Sequence, residues 1–252
     1  MSAVAPTIVI VFAEAVYLRG WLHRRSIPAW RACSFFLGLL ATWVALVSPV
    51  ASLDNHMLTA HMVQHLLLMT IAPPLIWLGE PLMTVQSPLP RGRKQAGLPA
   101  RLFGQPVFCW LAAAVALIVW HMPAVFQLGM QSAMWHFAEH TSFITTGLLF
   151  WWPVIQPWPS TALWPRWSML LYLFLATVPC DVLSGLLVFS DRVVYPMYLS
   201  THRMGGFSPL EDQQCAAALM WTCVTVVFLV AGTVLSMQIL SPKLRLQETD
   251  SV

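Results

Sequence analysis

Apolar residues run along this chain in long blocks, broken by short segments of charged, proline and small polar residues. The blocks lie at about 3–22, 30–51, 55–78, 104–122, 134–152, 167–189 and 213–240, each close to the roughly 20 residues a helix needs to cross a bilayer. The pattern predicts an all-α integral membrane protein, a bundle of about seven transmembrane helices forming one polytopic domain over residues 1–252. Pro73-Pro74 is expected to bend or end the third helix, and the Pro-rich stretch 153–165 to be a connection. Trp151, Trp152, Trp158, Trp164 and Trp167 around that connection fit an interfacial belt. The first block carries Glu14, lacks a basic start and ends in Arg19-Gly-Trp-Leu-His-Arg-Arg, so it is expected to stay as a membrane helix rather than serve as a cleaved signal peptide.

Composition agrees with the pattern. Hydrophobic residues make up 58% and charged residues 9% of the chain, with a mean hydropathy of +0.69, against roughly one-quarter charged in a soluble domain. No basic run points to nucleic acid, and the lipid bilayer is the expected surrounding. The formal charge of +3 matters less than where the charges fall. Arg19, Arg24, Arg25 and Arg31 flank the first connection, Arg91, Arg93, Lys94 and Arg101 the third, Arg166 the fifth, and Lys243 and Arg245 follow the last helix. Arg192 and Arg203 lie on the other side. A bias of this kind predicts the larger group in the cytoplasm, which places the N-terminus outside and the C-terminus inside.

With that orientation seven of the eight histidines gather in the outer half. His56, His61 and His65 enter the third helix, His121 ends the fourth, His136 and His140 open the fifth, and His202 lies in the last outer loop; His23 stands among Arg24 and Arg25 on the inner side. The four-residue spacing of His61/His65 and of His136/His140 stacks each pair on one helix face. At about 1.5 Å per residue, His61 and His65 fall about 9 and 15 Å below the outer surface and Asp181 about 13 Å below it. Glu14 and Glu139 reach the same half. Ionisable groups at such depth should face the bundle interior or a water-filled cavity. A single membrane histidine commonly does no more than hydrogen-bond across helices, and for His56, His121 or His202 alone that reading weighs as much as a ligand role. Two pairs together point to metal.

Imidazole suits zinc, copper, iron and nickel, whereas a thioether favours Cu(I). Met57, Met62, Met69, Met122, Met130 and Met134 flank the outer histidines; each is an ordinary packing residue taken singly, and as a group they favour copper. Cys33, Cys109, Cys180, Cys215 and Cys223 form no C-x-x-C pair, so no thiolate cluster or disulfide framework is indicated. His136-Phe-Ala-Glu139-His140 matches H-x-x-E-H, in which two histidines hold zinc and the glutamate activates water.

Four blocks carry a resemblance: HMVQHLLLMTIAPPLIWLGEP (61–81), WHMP (120–123), WHFAEH followed by GLLFWWPV (135–154), and SPLEDQQCAAALMW (208–221). In combination and order they resemble the CtaG family of bacterial cytochrome c oxidase assembly factors. That resemblance implies a polytopic protein of the bacterial cytoplasmic membrane that puts copper into the oxidase, with the outer histidine pattern falling on His56, His61, His65, His121, His136 and His140. It implies cytochrome c oxidase subunits as partners, together with a periplasmic copper donor. Cys215-Ala-Ala-Ala stands where a small, glycine-containing run is expected, and Asp181 has no place in the family pattern. The expectation is a non-enzymatic copper-binding assembly factor whose ligands are His61, His65, His136, His140, His56 and His121, with Met57, Met62, Glu139, Glu14, Asp181 or His202 as accessory groups. Two readings stand beside it: an intramembrane zinc-dependent hydrolase using Asp181 and Ser184, and bis-histidine haem ligation between the third and fifth helices.

Overall fold

A computed structural model describes residues 4–23, 27–85, 105–157, 164–199 and 206–241. Among these residues the chain is helical, with no strand. Helix α1 (Val4–His23) and α2 (Ala29–Val47) are followed by a short α3 (Pro49–Leu53). The third predicted block is α4 (Leu58–Leu66), a π-helical turn at Leu67–Ile71, and α5 (Ala72–Leu78), after which comes a short α6 (Pro81–Val85). Then come α7 (Pro106–His121), α8 (Pro123–Gln131), α9 (Ala133–Ile155), α10 (Ser168–Val188) and α11 (Pro209–Leu240), with a 3-10 turn at Pro196–Leu199.

Five described spans are long and apolar enough to cross a membrane, and six if α7 and α8, bent by 78° at their junction, count as one. The fifth expected segment, 134–152, is helical within the 23 residues of α9, yet its first turns carry His136, Glu139 and His140 and lower its hydropathy. Of the seven spans read from the apolar blocks, five to six are found among the described residues. His202 and nine of the basic residues used for orientation, Arg24, Arg25, Arg91, Arg93, Lys94, Arg101, Arg203, Lys243 and Arg245, lie outside the described residues.

Local chemistry explains the breaks. Neither Pro73 nor Pro74 has an N–H to donate to the preceding turn, and the helix relieves this by widening to π geometry directly after Leu66 instead of stopping. Gly147 of α9 sits against that turn so closely that a Cβ would lie 2.8 Å from the Met69 carbonyl oxygen. At the α7–α8 bend Met122 takes the extended backbone that a following proline demands, with ψ 127°.

One end of the bundle carries Arg31 and Arg166. Arg31 pairs with Glu80 at 2.7 Å, Tyr17 donates to the Gly79 carbonyl at 2.8 Å, and Arg166 bonds Gln238. The opposite end holds the histidines. There α4 packs against α11 and turns His61 and His65 towards Glu139 of α9, and the carboxylate of Asp212 in the first turn of α11 accepts from the backbone N–H of Leu58 (2.6 Å) and Thr59 (3.2 Å) and from the Thr59 hydroxyl (2.6 Å). Asp212 is thus the N-terminal cap of α4, supplied from 154 residues away. Ser208 and Glu211 close a capping box on α11 itself.

Candidate metal centre

Four elements bring seven titratable side chains to one buried place. Asp54 ends α3, His61 and His65 share one face of α4, His121 ends α7, and His136, Glu139 and His140 occupy the first two turns of α9. Asp54, His61, His65, His121 and Glu139 are buried, while His136 and His140 are partly exposed.

Glu139 lies between the two α4 imidazoles. One of its oxygens, Oε1, is 3.4 Å from His61 Nε2 and 3.3 Å from His65 Nε2. His136 Nε2 faces Asp54 Oδ2 at 3.2 Å. These pairs are close, but they are not aligned as hydrogen bonds. Glu139 Oε1, Asp54 Oδ2, His136 Nε2, His140 Nε2 and both ring nitrogens of His61 and of His65 are buried without a hydrogen-bond partner. Leaving a buried polar atom unpaired costs on the order of 1–3 kcal/mol, so a group of them is costly to the fold until water or a ligand meets it. Ligand atoms of His61, His65 and Glu139 lie within 4.8 Å of one another, and so do those of Asp54, His61 and His136.

His121 adds a softer donor pair. Its Nδ1 lies 2.7 Å from the Leu117 carbonyl, which only accepts, so Nδ1 carries the hydrogen. Nε2 is left with its lone pair directed at Met62 Sδ, 3.4 Å away. Two lone pairs facing one another form no hydrogen bond, but they can share a soft cation.

The surroundings hold these groups in place. Tyr198 donates to the Asp54 carbonyl at 2.7 Å and Tyr195 to the His121 carbonyl at 3.0 Å. Gln213 fixes the segment that carries both tyrosines, accepting from Val194 N at 2.7 Å and donating to the carbonyls of Leu187 and Arg192. On α9, Trp120 donates to Ser142, whose hydroxyl donates to the Glu139 carbonyl, both at 2.7 Å. Two cavities meet the cluster. A mixed polar one of about 270 Å³, lined by Ser48, Ser52, Gln64, His136 and His140, approaches from one side. A smaller apolar one reaches His65 and His121 from the other, past Trp110 and Cys180.

The structure brings together His61, His65, His136, His140, His121, Glu139 and Met62. It leaves the other expected groups apart. His56 is exposed and Met57 partly buried beside it, Glu14 is half-buried on α1, and Asp181 is half-buried on α10; none belongs to either group of potential ligands. Met122 and Met134 are exposed, Met69 lines the apolar cavity, and Met130 packs in the core. The H-x-x-E-H motif is present, but its glutamate turns to the histidines of α4 and its first histidine to Asp54. Asp54 is the group that sequence reasoning misses. Its only signal there is a carboxylate seven residues before His61, in a connection where a helix cap is the ordinary reading.

The family model of the cytochrome c oxidase caa3 assembly factor (Caa3_CtaG) matches residues 15–241, and the chain belongs to that family. No curated protein and no solved structure matches significantly.

Proposed function

We propose that this member of the cytochrome c oxidase caa3 assembly factor family binds copper at the cluster of His61, His65, His136, His140 and Glu139 and passes it by ligand exchange to an oxidase subunit. Copper is cargo here, and no turnover is needed. The site opens to the outer face of the bacterial cytoplasmic membrane, where a periplasmic donor supplies the ion. One observation carries the reading: buried imidazole and carboxylate atoms converge while making no hydrogen bonds. Imidazoles suit copper, and the Met62 thioether facing the His121 lone pair favours Cu(I). His56, Asp181 and Glu14 have no part in this reading.

A second reading has its own support. Glu139 with His61 and His65 forms a set of two imidazoles and one carboxylate, of the kind catalytic zinc uses. Metal analysis of protein purified from membranes separates the two: copper supports delivery, and zinc supports a hydrolytic centre. A haem absorption band would instead point to bis-histidine ligation. For orientation, reporter fusions after Asn55 should read outside and fusions near Lys94 cytoplasmic.

A further inference from the structure

The cluster contains more donors than one ion uses, and they are not arranged as one shell. Glu139 serves His61 and His65, whereas Asp54 serves His136. The two ligand groups have one member in common, His61. His61 is fully buried, with its ring centre 4.2 Å from that of His65 and 6.0 Å from that of His136, and has neither ring nitrogen hydrogen-bonded. Asp54 is equally buried, with Oδ1 held by Asn55 at 2.9 Å and Oδ2 left without a hydrogen bond toward His136.

We propose that the protein holds two copper ions in adjacent stations, an entry station of Asp54 and His136 and a buried station of His65 and Glu139, with the single lone pair of a neutral His61 within reach of both and given to one ion at a time. The inference rests on the copper reading above and deepens it. Position distinguishes the stations. His136 lines the mixed polar cavity, while His65 lines the apolar one, so the entry station is the one that water-borne ions meet first. Each station contains one carboxylate, an oxygen donor that an ion can take beside the imidazoles. His140, whose ring lies 4.2 Å from that of His136 and whose Nε2 makes no hydrogen bond, is placed to complete the entry station. An ion can then move inward by exchanging Asp54 and His136 for His65 and Glu139 without leaving His61.

The test is a Cu(I) titration of the full-length protein in detergent against a coloured Cu(I) chelator, which counts bound equivalents. The wild type should bind two. D54N and E139Q should each bind one, and circular dichroism with size-exclusion profiles should show both variants folded. Copper-edge X-ray absorption of the two variants should differ, because each retains a different station. A wild type that binds one equivalent, or a D54N variant that keeps two, overturns the two-station arrangement and leaves copper binding standing. A wild type that binds no copper overturns the copper reading and the two stations with it.

Discussion

Two buried polar clusters lie within the same end of this bundle, and they are built on opposite rules. Around Asp212, Gln213 and Tyr198, bonds are made: the carboxylate caps α4, the amide ties down the 190–194 turn, and the phenol holds the Asp54 backbone. Around His61, His65 and Glu139 the nitrogens and the facing oxygen are close together but unbonded. A satisfied network in low dielectric rigidifies a fold, and an unsatisfied one is a cost until water or a ligand meets it. The SPLEDQQ block and the HMVQH block are therefore neighbours with different tasks. One fixes where α4 begins, and the other uses the face so fixed.

This contrast breaks most sharply at His61. His61→Leu should lower copper affinity by more than the roughly 10–100-fold that outer-shell changes cost, as read by chelator competition. Its apo thermal stability should be equal or higher, because two orphaned nitrogens disappear. Asp212→Ala should do the reverse: a loss of about 2 kcal/mol, or roughly 30-fold in the folding equilibrium, from two buried uncapped N–H groups. Thermal unfolding in detergent checks it, and Asp212→Asn, which keeps an acceptor, should recover part of the loss.

Acid sharpens the comparison. Protons and metal compete for the same imidazole nitrogens, so copper affinity is full when the ligands are neutral and declines as pH falls. Copper affinity should therefore fall as pH is lowered, read by chelator competition at a series of pH values, with any protons released on binding measured by calorimetry in buffers of different ionisation enthalpy. The smallest effect belongs to Tyr198→Phe. Losing one hydrogen bond to the Asp54 carbonyl should cost about 1 kcal/mol of stability, roughly 5-fold, with only a small loss of copper affinity. Thermal unfolding and chelator competition on the same preparation check both halves.

Much of this is readable from residue spacing. The apolar blocks mark the helices, and the i, i+4 pairs place His61 with His65 and His136 with His140 because helical periodicity is a local property. What escapes is what the tertiary fold alone decides. Asp54 sits in a connection, so no periodicity aims it at His136, 82 residues further along the chain. The methionines form a group by their nearness to the histidines in sequence, yet among them Met62 is the one whose sulfur faces a ring nitrogen of an imidazole. Counting depth along α10 gives Asp181 a level but not a face. The Pro73-Pro74 pair is expected to bend or end its helix, and the chain absorbs it in a π turn that begins just beyond His65. The apolar blocks give seven spans against five to six among the described residues, because the C-terminal half of α9 is apolar while its first turns carry His136, Glu139 and His140.

Copper-edge X-ray absorption on the copper-loaded wild-type protein tests the central claim most directly. Nitrogen and oxygen scatterers with the outer-shell pattern of imidazole, lost in a variant combining His61→Leu and His65→Leu, are the predicted result. Coordination by sulfur alone, or a spectrum unchanged in that variant, would contradict it.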